Sequence, residues 1–293
     1  VLIVYKGIRS GIERWSKILM PVLFALIIFL AVRSLTLPGA GTGIKFFLMP
    51  NFETFNPKII FYAVGQAFFS LSLGAGTMIT YGSYLPKDSN LLSNGCSVAL
   101  FDTLIAVMAG LLIFPALFAM GMDPAAGPSL VFEVLPRIFS LMPGGKIIGA
   151  AFFLLLSIAA LTSTISLLEV VTSYFVDEKR WLRKKAVWII AVIVLILGLP
   201  SALSQGIVPW LEELPLVNMR FLGLMDWLFG NVMLAVGAFL LAIFIGWVWK
   251  TGSAMKEITD GRPELAVIGP VFNILLKYFC PAVILVLIFF LIF

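Results

Sequence analysis

Long apolar runs separated by short polar loops dominate the chain from one end to the other. A membrane-spanning helix needs about 20 consecutive apolar residues, and seven runs approach or exceed that length. Such runs predict spanning helices rather than barrel strands, which are shorter and alternate between apolar and polar positions. The predicted spans are Leu19–Leu35, Ile59–Leu85, Leu92–Met120, Ile147–Val176, Ala186–Leu203, Phe221–Trp249 and Val267–Phe293.

The composition agrees with lipid, rather than water, as the solvent. Of the 293 residues, 61% are hydrophobic and 12% are charged, whereas soluble domains have about 45–50% apolar and about 25% charged residues. The net charge of +5 does not indicate nucleic-acid binding, because the basic residues lie in short loops between apolar runs, where they set membrane topology. Histidine is absent, which excludes histidine-based catalysis and metal ligation.

Lysine and arginine are distributed unequally between the two sets of loops. Positive residues accumulate on the cytoplasmic side of a membrane protein, so the loops that hold most of the 20 basic residues are predicted to be cytoplasmic. The chain then begins inside, and its first predicted span runs outward. The few basic residues of the opposite loops are Arg33, Lys45, Lys58, Arg137, Lys146 and Arg220.

The apolar segment Phe61–Leu85 contains two glycines and two serines near its middle. Gly74 and Gly76 each lower helix stability by about 1 kcal/mol, and Ser70 and Ser72 supply hydroxyl oxygens that suit sodium as a hard cation. Unwound backbone inside a membrane survives only where it lines a cavity or is buried by protein, and there it can bind ions and carboxylates. The pattern predicts a broken helix that holds a small solute and ions, with close helix packing through small residues as the alternative.

Two further polar positions lie inside predicted spans. Asp102 is well inside its span, where a carboxylate costs at least about 2.5–3.5 kcal/mol and is a functional hypothesis by default. A structural hydrogen bond is the alternative for that residue. Thr162, Ser163 and Ser166 occupy neighbouring helix positions that can form an oxygen cage. Serine and threonine also bond back to their own helix, and this cluster taken alone is more often structural.

Four sequence segments are similar to the neurotransmitter:sodium symporter family, and most closely to its prokaryotic amino-acid transporters. The most specific of them is the run Gly-Gln-Ala-Phe-Phe-Ser-Leu-Ser-Leu-Gly at Gly65–Gly74. The resemblance covers essentially the whole chain in order, and it favours the binding-site interpretation of the broken segment. The four segments are Lys17–Pro21, Gly65–Gly74, Ile79–Tyr84 and Leu161–Ser163.

The resemblance implies a fold and a location. The expected fold is all-α and multi-pass transmembrane, with the inverted-repeat transporter architecture of the bacterial leucine transporter type and about seven spans. Residues 1–293 would form a single transporter domain, from the end of the family's fourth span through its eleventh. We therefore expect a fragment that does not transport by itself. The expected location is the plasma membrane, as in a bacterial inner membrane. Membrane lipid is the expected partner, a homo-oligomer with a second copy is an open alternative, and no nucleic acid is expected.

The resemblance also implies roles for individual residues. A first sodium site is implied at Ser70 and Asp102, and a second at Thr162, Ser163 and the carbonyl of Ala159. Phe69 is implied to be a lid over the substrate. The implied substrate pocket consists of Phe69, Ser72, Ala75, Ser163 and Leu167. The implied gates are Asp226 as the acidic outer member, Asp177 and Tyr84 on the cytoplasmic side, and Gln66.

The resemblance predicts the symport of sodium with a small apolar or aromatic amino acid by alternating access, without a cofactor and without enzymatic chemistry. Asp102 places a carboxylate where many members carry asparagine, and Ala106 one turn further is neutral. A built-in negative charge beside sodium makes chloride unnecessary. Ala75 is small where some members have a bulky aromatic residue, so a larger side chain fits. An ion channel and a non-transporting membrane subunit are the alternatives.

Overall fold

In the computed structural model, the described part of the chain is all-α. It comprises residues 1–50, 56, 58–122, 131–132, 135–141, 143–215, 217, 219–259 and 269–292. Within those residues the α-helices are α1 (Leu2–Tyr5), α2 (Arg14–Leu35), α3 (Ala40–Leu48), α4 (Lys58–Ser70), α5 (Thr77–Gly82), α6 (Leu91–Ala119), α7 (Leu135–Leu141), α8 (Gly145–Asp177), α9 (Arg183–Leu203), α10 (Pro209–Glu212), α11 (Phe221–Met225), α12 (Met233–Ile243), α13 (Thr251–Thr259), α14 (Gly269–Ile274) and α15 (Cys280–Ile292).

Helices long and apolar enough to cross a membrane coincide with six of the seven predicted runs, so the chain is a multi-pass membrane protein. The remaining run, Ile59–Leu85, consists of the two shorter helices α4 and α5. Of the last predicted run, Val267, Ile268 and Phe293 lie outside the described residues. The six long helical stretches are Ser10–Leu35, Leu91–Ala119, Gly145–Asp177, Arg183–Leu203, Phe221–Val248 and Gly269–Ile292.

The chain divides into two compact units. The first comprises Val1–Phe55 and Leu100–Leu168, and the second comprises Asn56–Ala99 and Glu169–Phe293. The core of the first unit is built from the apolar faces of α2, α6, α7 and α8, where Leu117 and Ile138 are completely buried. In the second unit the small side chains of α12 allow α15 and α4 to pack closely against it.

The helix α9 shows how the apolar surplus of the sequence is used. It is strongly apolar, and a continuous stretch of its large apolar side chains is exposed, with Leu195 at 67% and Leu197 at 68%. In water such a surface would promote aggregation. In a membrane it faces hydrocarbon at no cost, which explains why the protein buries only a modest part of its apolar side chains.

The part of the chain that the structure describes contains four complete π-helical turns, in which the backbone is hydrogen-bonded five rather than four residues back, and two of them lie in the stretch Phe221–Val248. Such turns are rare, and they occur frequently at functional sites. One of them begins at Asp226, the residue that the family resemblance assigns to the outer gate. The four turns are Ile8–Glu13, Asp226–Val232, Phe244–Val248 and Leu275–Phe279.

Candidate transport site

The predicted helix break is present in the second unit. Helix α4 ends at Ser70, α5 begins at Thr77, and the six residues between them form a turn. The N–H of Ser72 donates to the carbonyl of Phe69 at 3.0 Å, and the N–H of Leu73 donates to that of Phe68 at 3.1 Å. These two bonds are those of a Schellman motif, the common way to end a helix.

The residue at the left-handed position of this motif is Ser72 rather than glycine. Its φ angle is 53°, a conformation that costs a residue with a side chain roughly 1–2 kcal/mol. The family resemblance assigns Ser72 to the substrate pocket. A position where a side chain persists despite backbone strain is a candidate for a functional role.

Two glycines bring the broken segment into direct backbone contact with α12. A Cβ atom added to Gly74 would overlap the carbonyl oxygen of Leu234, and one added to Gly237 would overlap the carbonyl oxygen of Gly74. No side chain separates the two backbones at this point. The predicted break and the close packing through small residues therefore occur together, and the binding of a solute and ions at this segment stays a prediction.

A cavity of about 320 Å³ lies beside α4. Its other walls are the π-helical turn Asp226–Val232 and the C-terminal part of α15. It brings together three residues that the sequence analysis assigned separately, namely the predicted lid Phe69 and the predicted gate residues Gln66 and Asp226. Phe69 is 53% exposed and lines this cavity, while its role as a lid stays a prediction. The lining residues are Phe61, Tyr62, Gly65, Gln66, Phe69, Asp226, Asn231, Leu287 and Leu291.

Tyr84, predicted as a cytoplasmic gate residue, contacts a carboxylate that the sequence analysis missed. Its hydroxyl donates to Oε1 of Glu169 at 2.7 Å, while Nη2 of Arg183 pairs with Oε2 of the same side chain. Glu169 is 0% exposed, and a buried charge is tolerated when it is paired and hydrogen-bonded. Asp177, the other predicted cytoplasmic gate residue, is exposed at the end of α8.

Glu169 was detectable from the sequence. It lies in the predicted span Ile147–Val176, preceded by two leucines and followed by two valines. An acidic residue in such a setting is a functional hypothesis by default, which is the argument already applied to Asp102. Its partners were not detectable in the same way, because Tyr84 is 85 positions away in the sequence.

The residues predicted for the second sodium site lie on α8 in the first unit. The hydroxyl of Thr162 donates to the carbonyl oxygen of Ala159 at 2.8 Å, so two of the predicted ligand oxygens are adjacent. This bond is also the back-bonding expected of a threonine without a ligand. Ser163 and Leu167 lie one helical turn apart on α8, and both are exposed.

The remaining predicted residues are divided between the two units. Asp102 is half-buried on α6 in the first unit. Ser70 ends α4 in the second unit, and Ala75 lies in the turn that follows it. Their assignment to sodium and substrate stays a prediction.

Comparison with known proteins agrees with this fold over its full length. The sequence profile described as "Sodium:neurotransmitter symporter family" matches residues 1–293. An uncharacterised sodium-dependent transporter of Bacillus subtilis is 38% identical over 98% of this chain and 63% of its own length. A second uncharacterised sodium-dependent transporter, from Haemophilus influenzae, is 39% identical over 98% of this chain and 62% of its own length.

A solved structure gives the same result. The crystal structure of MhsT in complex with L-phenylalanine matches 100% of this chain and 65% of MhsT, with a TM-score of 0.87 and 44% identity. The chain thus spans less than two thirds of the length of each of these three relatives. The predicted all-α transporter fold is confirmed, and the chain belongs to the sodium:neurotransmitter symporter family.

Proposed function

We propose that this protein is a sodium-coupled symporter that carries an apolar or aromatic amino acid across the bacterial inner membrane by alternating access. The observation that carries the proposal is the broken helix, which is packed on α12 and flanked by the cavity of Gln66, Phe69 and Asp226. Broken helices beside a cavity are the usual binding elements of secondary transporters. The family membership supports sodium as the coupling ion.

The substrate is proposed to be an amino acid with a large apolar or aromatic side chain. Ser72 and the backbone of the break hold its carboxylate, Phe69 covers it, and Ser163 and Leu167 complete the pocket. The related MhsT was crystallised with L-phenylalanine, which supports an aromatic substrate. The small side chain of Ala75 leaves the volume that such a substrate needs.

Sodium is proposed to bind at two positions. Ser70 and Asp102 provide oxygens for one, and Ala159, Thr162 and Ser163 provide oxygens for the other. Hard cations prefer hydroxyl, carbonyl and carboxylate oxygens, and the adjacency of the Thr162 and Ala159 oxygens supports the second position. Because Asp102 carries a negative charge, chloride is not required.

The gates follow from the two polar clusters of the second unit. On the outer side Asp226 and Gln66 control access to the space beside Phe69. On the cytoplasmic side Tyr84 and Asp177 control release, and the bond from Tyr84 to Glu169 holds the end of the broken segment to α8. Alternating access requires that these two sets of contacts open in turn.

The proposal is tested by uptake of labelled amino acids into proteoliposomes that contain the full-length protein. With an inward sodium gradient we expect saturable uptake of phenylalanine, leucine and tryptophan in preference to glycine, and little uptake when potassium replaces sodium. Ala75→Phe should reduce uptake of phenylalanine more than that of smaller amino acids, because the added ring occupies the pocket. Val194→Phe is the control, since it introduces the same ring at an exposed position of α9.

Two results would contradict the proposal. Strong preference for glycine over the larger amino acids would refute the pocket argument based on Ala75. A sodium current without saturable amino-acid uptake would favour the ion channel instead.

A further inference from the structure

The π-helical turn Asp226–Val232 forms one wall of the cavity beside α4, which is called the outer cavity. The Asp226 carboxylate belongs to this turn. Among the described lining residues, Asp226 is the one that carries a charge. Where this carboxylate points therefore decides the electrostatic character of the whole cavity. Two residues of the same turn determine that direction.

The first is Gly230. A Cβ atom placed there would lie 2.9 Å from Oδ1 of Asp226 and 3.9 Å from Cε2 of Phe69. The carboxylate therefore lies back over Gly230, in space that any other residue would fill with its own side chain. The ring of Phe69, the predicted lid, reaches the same space.

The second is Asn231. Its Nδ2 donates to the backbone carbonyl of Asp226 at 3.1 Å, across the five-residue spacing of a π-helix. The side-chain amide thus binds the carbonyl at the point where the backbone ladder changes register. One residue after Asp226, the indole N–H of Trp227 donates to the carbonyl of Leu291 at 3.1 Å, which fixes the turn to the end of α15.

We infer that Gly230 and Asn231 are positioning residues for Asp226: Gly230 leaves room for its carboxylate and Asn231 holds its backbone, so that the charge lies in the wall of the cavity that Phe69 also lines. The inference deepens the proposed function, because it assigns to the outer gate two residues whose effect is exerted through Asp226. It also gives the π-helical turn a purpose, since the turn brings Gly230 beneath the carboxylate and Asn231 to its carbonyl.

The test is a double-mutant cycle in the full-length protein. Gly230→Ala is compared with Gly223→Ala, a matched control two turns earlier, where an added Cβ meets no atom within 4 Å. Each substitution is made with Asp226 present and with Asp226→Ala, and KM and kcat for sodium-driven phenylalanine uptake are measured. We expect Gly230→Ala to raise KM by about tenfold, the size of a lost contact to a charged group. In the Asp226→Ala background it should have no further effect, because coupled residues are not additive.

A second readout does not depend on transport. With Cys96 and Cys280 replaced by serine, a reporter cysteine at Tyr62→Cys, which lines the cavity, is labelled with a cationic and with an uncharged thiol reagent. A nearby carboxylate concentrates cations. The labelling rate of the cationic reagent divided by that of the uncharged reagent therefore reports the position of the Asp226 charge. We expect Gly230→Ala and Asn231→Leu to lower that ratio severalfold, Asn231→Gln to restore part of it, and Gly223→Ala to leave it unchanged.

The two readouts separate the inference from the proposed function. Absence of sodium-driven uptake in the unsubstituted protein would refute the proposed function, and the labelling ratio would still decide whether Gly230 positions the charge. Equal effects of Gly230→Ala and Gly223→Ala on the ratio would overturn the inference. So would an undiminished effect of Gly230→Ala after Asp226 has been removed.

Discussion

Asp102 is the residue on which the ion dependence of the proposed transport rests. It is half-buried on a membrane-spanning helix, where a charge needs a cation or hydrogen-bonding partners. If sodium is that cation, the carboxylate replaces the charge that chloride would otherwise supply. The side chain then determines two measurable properties at once, namely sodium affinity and chloride dependence.

Asp102→Asn should weaken sodium binding by about tenfold or more, since contacts to charged groups contribute about 1.5–3 kcal/mol, or it should make uptake depend on chloride. The measurement is a sodium titration of uptake with chloride or gluconate as the anion. Asp88→Asn serves as the control, because Asp88 is an exposed acid of a loop. Unchanged sodium affinity together with no effect of chloride would refute the role of Asp102.

Single residues also show where sequence-based reasoning succeeds and fails. The glycines and serines of Phe61–Leu85 predicted a break, because backbone propensity is a local property that the sequence expresses directly. Gly230 gave no such signal. Its function depends on a carboxylate that lies back over it, and neither that conformation nor the π-helical register can be derived from local sequence.

At the scale of elements, the broken segment and α12 are in direct backbone contact through Gly74 and Gly237. Gly74→Ala and Gly237→Ala should each destabilise the protein by about 1–3 kcal/mol, as overpacking does, because the added methyl group meets backbone that cannot rotate away. Thermal unfolding in detergent measures the loss. Gly198→Ala is the control, since a Cβ there meets no atom within 4 Å.

The opposite sign is expected for that control. Alanine in a helix is more favourable than glycine by about 0.5–1 kcal/mol, so Gly198→Ala should raise the unfolding temperature slightly. A stabilising effect at Gly74 or Gly237 would show that the two backbones do not touch in the membrane.

The hydroxyl group of Tyr84 joins the end of the broken segment to α8. Tyr84→Phe removes the 2.7 Å bond to Glu169 and leaves a fully buried carboxylate with one donor fewer, which costs about 1–3 kcal/mol. We expect the Tyr84→Phe protein to unfold at a lower temperature. A cysteine introduced on its cytoplasmic side should also react faster with a thiol reagent. Tyr174→Phe removes a hydroxyl from an exposed ring of the same helix and should change neither measurement.

At the level of elements, the sequence predicted which segments form helices better than it predicted where the hydrogen-bond register of those helices changes. Five of the six long helical stretches both begin and end within three residues of the predicted runs, whereas Ser10–Leu35 ends as predicted but begins nine residues before its predicted start. The four π-helical turns were not predicted. Hydrophobic periodicity specifies that a helix forms, whereas tertiary packing decides where its hydrogen-bond register changes.

At the scale of the whole molecule, the distribution of charge predicts one orientation in the membrane. Single cysteines introduced at Arg180 and at Arg220, in a background without Cys96 and Cys280, should differ in accessibility from outside the cell. The first should be protected from an impermeant thiol reagent until the membrane is permeabilised, and the second should react at once, because the richer basic loops face the cytoplasm. Reaction of Arg180→Cys in intact cells would show that the chain has the opposite orientation in the membrane.

The crossing of Gly74 and Gly237 also restricts how this protein can vary. Enlarging either residue alone brings its new side chain into the backbone of the other segment. Even the smallest substitution, glycine to alanine, is therefore destabilising. Larger residues at both positions would require α12 to shift. That shift would also displace the cavity lined by Asp226 and Asn231, which directly precede α12 in the chain. Across related sequences the two positions should therefore vary jointly or not at all, and an exchange at one of them should mark a transporter whose outer cavity has been rebuilt.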